Sequence, residues 1–511
     1  MLKLFSYNHP VTYILLLGFT FLLRSPSFHP EFFATDESAY LIAAEKIADG
    51  GVQYADSWDN KPPILVWFYC GFVYVFGAGG LLAIRIFTCI YVAICAILLN
   101  QVIYETRMLS RFSLVPAFLF VLLVSVPWYT QELNGEMLMT LPVILAFYLL
   151  VLLSERGEKN TMYLFFAGIL LGISIMIKYQ AVVLFVCAIL ALIVIYPPRI
   201  AEIFSLLAGG FIAIGTIVLI VSFSGALEEF WEIGVLYNLD YFSLGANPGE
   251  DISPIFNLGQ YLRLWGGVFA IALIAILHFR INYFKFGIRL RKAETIFFLW
   301  MAGCLITILM GSGRLYLHYF ILAVPPLVIY FARFFELSIK KWIKFSLAFV
   351  AIAMPMVTFS HYLMAAYPGT FSFSDRYLTK DGWTSRWREA LNSEGELEIF
   401  MKNRKPENGI LVLDFQPEIY LQLGQKCATK YTNFSMAFYK MEVFPHHGEY
   451  GLVSRSETAS DIADSFAVEM PGAIIDTRKF MLFGHLQAAL PSLFRVYRKY
   501  EVGDYIVYLR E

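Results

Sequence analysis

Thr35-Asp36-Glu37-Ser38-Ala39-Tyr40 and Asp59-Asn60-Lys61-Pro62-Pro63 share one loop, which opens after an apolar run at residues 10–24. Charged residues beside a bilayer are costly unless they are paired or used. Two acids and a lysine concentrated in one such loop therefore point to a membrane-embedded helix bundle with chemistry at its mouth. The reading extends outward from there, because the rest of the chain is as apolar as the run before this loop.

Of 511 residues, 58% are hydrophobic and 15% charged, where a soluble domain carries about 25% charged residues. The 47 Phe and 31 Tyr fit extensive lipid and interface contact. A net charge of -1 gives no reason to expect nucleic acid as a partner. The six Cys form neither a disulfide framework nor a CxxC metal site. Apolar runs of membrane-crossing length predict eleven transmembrane helices, near 10–24, 81–104, 112–127, 137–153, 161–177, 180–196, 203–223, 264–279, 294–311, 319–337 and 343–361. The short run after Pro62 reads as an interfacial helix. The first span lacks a small-x-small cleavage site at Arg24-Ser25-Pro26-Ser27-Phe28 and reads as an uncleaved anchor.

Alternate short loops hold Arg107 and Arg111, Arg156 and Lys159, Arg199, then Arg280 to Lys292, and finally Lys340, Lys341 and Lys344. The opposite loops are nearly bare, and residues 226–262 contain acids but no Lys or Arg. The positive-inside rule puts the N-terminus in the cytoplasm and the Asp36 loop outside. An odd number of spans carries the C-terminus outside too. Two domains follow: 1–361 in the membrane and 362–511 beyond it. In the second, helical patterns at 385–403, 461–469 and 482–497 alternate with strand-like runs at 409–414, 428–432, 473–476 and 505–509, which predicts a small extracytoplasmic α/β domain. With no GxGxxG after its first strand and no P-loop, it is expected not to bind nucleotide or perform chemistry but to shape access to the site. His446-His447 is an isolated pair, more often inert than metal-binding.

Four features fall on the outer side. Asp36 and Glu37 stand at the start of an amphipathic pattern over 38–49 that Gly50-Gly51 stops. Helix capping alone explains acids there. Lys61 sits among Asp56, Asp59 and Asn60, where a compact ammonium suits a phosphate. Glu132 and Glu136 precede the fourth span, and Lys178-Tyr179 lies between the fifth and sixth with almost no loop. Arg314, Tyr316 and His318 open the tenth, with guanidinium geometry suited to a phosphodiester. Capping acids and snorkelling bases would scatter over both faces, so their one-sidedness favours a site for a lipid-borne anionic substrate.

Asp36-Glu37, the D-N-K-P-P run and the R-x-Y-x-H-Y-F segment resemble the bacterial GT-C glycosyltransferases of family 39, relatives of the protein O-mannosyltransferases and aminoarabinose transferases. The resemblance implies a GT-C fold and an inverting transferase that moves a sugar from a polyprenyl-phosphate donor to a glycan, lipid or protein acceptor in the bacterial plasma membrane. It makes Asp36 the general base, with Glu37 beside it and Glu136 the second acid (Glu132 its rival). It makes Lys61 a phosphate contact, joined by Lys178, Arg314 and His318. Asp59, Asn60, Tyr179, Tyr316 and Glu132 would line the cavity. No His/Asp/Glu set has defined ligand spacing, so no cofactor is required and a divalent metal stays open. A transporter or flippase of a polyprenyl-linked lipid is the competing class, but it favours a repeat and broken midplane helices, and no repeat is visible. A membrane scaffold would leave the clustered charges unexplained.

Overall fold

The computed structural model describes residues 10–28, 34–106, 114–126, 130–156, 160–195, 200–239, 254–286, 292–310, 315–366 and 395–402, and most of 404–432 and 464–511. The chain opens with α1 (Pro10–Arg24), α2 (Thr35–Ala48), α3 (Pro63–Phe76) and α4 (Gly80–Thr106). It continues with α5 (Val115–Ser125), α6 (Gly135–Arg156), α7 (Thr161–Ile177), α8 (Val182–Ile195) and α9 (Ile200–Phe223). The later helices include Pro254–Phe286, Lys292–Leu309, Val324–Arg333 and Lys341–Ala366. Every expected span falls on a helix. Among the described residues, six helices are long and apolar enough to cross a membrane, from Pro10–Phe28 to Leu317–Glu336, and shorter apolar helices accompany them. The protein is a polytopic α-helical membrane protein.

Contacts gather the chain into two compact units interleaved along the sequence. One comprises Met1–His29, Leu82–Leu219 and Phe242–Leu378; the other comprises Pro30–Leu81, Ile220–Tyr241 and Thr379–Glu511.

The first unit is all helix. Its helices approach closely where the sequence supplies glycine: a Cβ on Gly168 of α7 would collide with the Leu206 carbonyl oxygen of α9, and one on Gly209 with that of Phe165. Apolar helices have no hydrophobic drive toward one another in lipid, so this backbone proximity and its dispersion contacts hold the crossing. The far side of α9 leaves Phe204, Phe211 and Phe223 exposed, as a lipid-facing surface would. Pro142 lies inside α6 and cannot donate to the Leu138 carbonyl one turn back. The Tyr91 hydroxyl of α4 donates to that carbonyl instead. A helix-breaking residue is tolerated here because a neighbouring span satisfies the freed group.

The second unit joins the first loop to the C-terminal residues. Its sheet runs β1 (Ile410–Val412), β2 (Ala473–Asp476), β4 (Tyr505–Arg510), β3 (Tyr497–Val502), with β1 parallel to β2 and the other pairings antiparallel. Gly503, at φ 55°, makes the tight turn between β3 and β4. Ile42 of α2 is buried in the same core as Ile410, Val412, Tyr420, Ile475 and Val507. The Trp58 amide donates to the Lys430 carbonyl at 2.7 Å, and the Thr432 hydroxyl donates to the Trp58 carbonyl at 2.9 Å. Three of the strand-like runs form β1, β2 and β4. The fourth, 428–432, is not a strand: the Ala428 amide donates to the Ile410 carbonyl next to an isolated bridge at Cys427, and Lys430 and Thr432 bond Trp58 instead. The described end of the helical pattern at 482–497 is a 3-10 turn, Leu493–Val496, and Tyr497 already begins β3. Of the pattern at 385–403, Glu396–Lys402 is helical; most of it, and most of 461–469, lies outside the described residues, as does His446-His447.

Candidate functional site

In the helical unit, Glu136 occupies the first turn of α6, where capping would explain an acid. Another residue does the capping: the Asn134 side-chain oxygen accepts from the Met137 amide at 2.9 Å. The Glu136 carboxylate, 2% exposed, pairs instead with the Lys178 ammonium. Lys178 takes an extended backbone, φ -154° and ψ 120°, which ends α7 and aims its side chain back at α6. Its ammonium lies 4.3 Å from the centre of the Tyr319 ring, a cation–π contact. His318 Nε2 lies 4.0 Å from Glu136 Oε1, and its ring stacks on Tyr316 at 5.8 Å. The start of α6, the end of α7 and the segment before Val324–Arg333 thus bring an acid, an ammonium and an imidazole together. A narrow pocket beside them is lined by Glu136, Met139, Lys178, Gln180, Thr307 and Tyr319. The Tyr179 hydroxyl is buried with no hydrogen-bond partner among the described residues. Glu132 is buried nearby in the chain, in a loop held by Arg24, whose guanidinium donates to the carbonyls of Val124, Thr130 and Gln131. Arg314 lies outside the described residues.

In the second unit, α2 starts without a side-chain cap at Ala34, with Asp36 half-buried and Glu37 1% exposed in its first turn. Tyr40 meets Tyr69 edge-on across α2 and α3 at 5.5 Å. The loop between these helices is tightly built. The Lys61 amide donates to Asp59 Oδ1 at 2.9 Å, the Tyr54 hydroxyl donates to the Lys61 carbonyl at 2.8 Å, and the Lys61 ammonium donates to Asn60 Oδ1 at 3.0 Å. Asp59 is 5% exposed; burial pushes its carboxyl above the usual range, Lys61 opposing and Asp36 adding to the rise. Glu418, at the start of Glu418–Gln422, bonds the Thr35 hydroxyl. Burial pushes its carboxyl up to about 7, with the nearby charge of Asp36 contributing. Among the described residues, its Oε2 is buried without a partner.

Three residues of these clusters carry little signal of their own in the sequence. Arg24 looks like an ordinary basic end to a span, and only its full burial reveals that it staples the next loop. Asn238, whose side-chain nitrogen donates to the Asn60 carbonyl at 2.6 Å, and Glu418 lie far along the chain from the loop they touch. Glu418 was the more legible, as an acid opening a short apolar helix.

Residues 60–222 match the family described as dolichyl-phosphate-mannose-protein mannosyltransferase, a stretch that includes Asn60, Lys61, Glu132, Glu136 and Lys178. The whole chain is similar to solved structures. ArnT from Cupriavidus metallidurans, bound to undecaprenyl phosphate, aligns over 97% of both chains at 14% identity with a TM-score of 0.56. The apo oligosaccharyltransferase of Archaeoglobus fulgidus aligns over 99% of this chain and 75% of its own, at 13% identity and a TM-score of 0.55. No curated protein matches the sequence. The chain therefore has the GT-C fold. The likeness to GT-C glycosyltransferases read in the first loop is present in both the family match and the architecture.

Proposed function

We propose that the protein is an inverting glycosyltransferase of the bacterial plasma membrane that takes its sugar from a polyprenyl-phosphate donor. The observation that carries this reading is the buried Glu136–Lys178–His318 set, built from three separate segments at the edge of apolar helices. An acid, an ammonium and an imidazole gathered at one such place are what a lipid-borne anionic substrate would need, since charged residues beside a bilayer are paired or used. ArnT, with the same fold, was crystallised with undecaprenyl phosphate.

In the proposed reaction Asp36 takes the proton of an acceptor hydroxyl as its oxygen attacks sugar C1. The bond from C1 to the phosphate oxygen breaks on the opposite face, and its electron pair leaves with the polyprenyl phosphate. Lys61, Lys178, Arg314 and His318 stabilise that leaving group, and Glu37 and Glu136 complete the acidic side. Asp59, Asn60, Glu132, Tyr179 and Tyr316 would contact the substrate in this proposal, and positioning supplies the remaining acceleration. Residues 1–361 carry the chemistry and 362–511 shape access for a glycan, lipid or protein acceptor, both working on the extracytoplasmic side.

Purified protein given a panel of labelled undecaprenyl-phosphate sugars should release undecaprenyl phosphate from at least one of them when acceptor is present. Movement of intact lipid-linked sugar across vesicles without release would make it a flippase and overturn the reading. A cysteine placed near Glu418 should react with an impermeant thiol reagent applied from outside; labelling only after the cytoplasm is opened would reverse the topology.

A further inference from the structure

The segment after α9 ends in a π-helical turn, Phe230–Leu236, followed by Tyr237 and Asn238. A π turn costs backbone geometry and recurs at functional positions. Here its aromatic residues face the first loop: Phe230 meets Tyr54 at 5.5 Å and Tyr237 meets the buried Trp58 at 5.2 Å, both edge-on. The turn thereby presents Asn238 to Asn60.

The hydrogen bonds between them have one consistent direction. Asn238 Nδ2 donates to two main-chain carbonyls, of Asn60 at 2.6 Å and of Gly234 at 2.8 Å. Carbonyls only accept, so that atom is the nitrogen and Oδ1 is what Asn238 turns toward the Asn60 side chain. Asn60 must answer with its own nitrogen, and Nδ2 lies 3.3 Å from Asn238 Oδ1. Its oxygen is left to face Lys61, whose ammonium donates to it at 3.0 Å. Reversing either amide would set donor against donor or acceptor against acceptor. Two backbone carbonyls thus fix, through two amides, where an ammonium sits.

We propose that Asn238 is a positioning residue for Lys61, holding the ammonium through Asn60 for the phosphate of a polyprenyl-phosphate ligand. This rests on the reading of Lys61 as a phosphate contact. The holding group is neutral, and among the described residues no carboxylate lies within ion-pair distance of the Lys61 ammonium. Its charge stays available to an anion, and its remaining N–H groups can donate to phosphate oxygens.

The test measures binding of undecaprenyl phosphate to the purified full-length chain, without turnover, by thermophoresis. Lys61→Ala is expected to weaken binding about tenfold to a hundredfold, as loss of one charged hydrogen bond does. Asn238→Ala should weaken it about threefold to tenfold, and the double variant should bind no worse than Lys61→Ala alone. Effects that simply add would mean Asn238 acts structurally and would overturn the proposal. Because Asn238→Ala removes two backbone contacts, Asn60→Ala serves as the second probe. It leaves the bond from Asn238 to the main-chain carbonyl of residue 60 in place and should show the same non-additivity with Lys61→Ala. If Lys61→Ala itself leaves binding unchanged, the phosphate reading of Lys61 fails. If it weakens binding while Asn238→Ala and Asn60→Ala do not, only the positioning role fails.

Discussion

Lys178 and Lys61 are both lysines in short segments flanking apolar helices, and the two units hold them in opposite ways. Lys178 is neutralised: a carboxylate that is itself 2% exposed takes its charge, and an aromatic ring covers its face. Lys61 is held by an amide oxygen, while the Asp59 carboxylate two residues before it accepts from the Lys61 backbone amide. A buried ion pair is a structural commitment, since either partner alone is a buried charge without compensation. An ammonium on a neutral acceptor keeps its charge for something that arrives. The difference separates a lysine that would meet a ligand from within an ion pair, and so also holds the bundle together, from one whose charge is unpaired before the ligand arrives.

The largest effect expected falls on neither lysine. In the second unit Asp36 and Lys61 are on different elements and are not an ion pair, so Asp36→Asn should leave the protein folded and still binding undecaprenyl phosphate while transfer falls by about 10²–10⁴-fold. Turnover within about tenfold of wild type would remove Asp36 as the base.

The ion pair gives the next effect. Lys178→Ala strands the Glu136 carboxylate in the helical unit, and breaking a buried pair from one side costs about 3–5 kcal/mol. The detergent-solubilised variant should therefore melt well below wild type, and adding Glu136→Gln should restore much of the loss. Lys61→Ala should barely move the transition, because its partner is neutral and remains hydrogen-bonded to Asn238. If the two alanine variants melted alike, the contrast between the lysines would be broken.

A pH effect should be confined to the second unit. Glu418 is held up to about 7 from an ordinary 4.5, so the folded state binds its proton more tightly than the unfolded chain does. The sign follows: its contribution is complete below about pH 4.5 and is lost as pH rises through 7. Asp59 and Glu45 are raised by burial and act in the same direction. Exchange protection of the β2 amides, corrected for intrinsic rates, should fall by on the order of 3 kcal/mol across that window, and Glu418→Gln should flatten the fall. Protection that rises with pH would contradict the assignment.

How much of this was legible follows the same division. Spans are read from local composition, and each coincides with a helix because lipid leaves the backbone no alternative. The Glu136–Lys178 pairing was half legible: a lysine with no loop to shelter it needed a partner, but nothing local named Glu136. The Asn60–Asn238 pairing was not legible, since two polar residues 178 positions apart share no local pattern. The tail departs from its sequence pattern where tertiary contacts override propensity. Residues 428–432 look like a strand, but Ala428 alone bonds β1 while Lys430 and Thr432 bond Trp58, and β3 begins where the helical pattern of 482–497 ends. The β3 sequence, Tyr-Arg-Lys-Tyr-Glu-Val, places charges on both faces of an edge strand, with Arg498, Lys499 and Glu501 exposed.

The smallest effect sharpens the contrast most, because charge is kept. Lys61→Arg replaces an ammonium on a single amide acceptor, at a half-buried position, with a larger cation that can still meet a phosphate. Undecaprenyl phosphate affinity should stay within about threefold of wild type. The same replacement at Lys178 meets a closed site: a Cβ on Gly135 would already lie 3.5 Å from Lys178 Cδ, and Glu136 and Tyr319 occupy the other sides. Overpacking such a site costs about 1–3 kcal/mol, so Lys178→Arg should lower the melting temperature although the ion pair can persist. Were Lys61→Arg the more damaging of the two to stability, Lys61 would be the more tightly packed lysine and the contrast would be reversed.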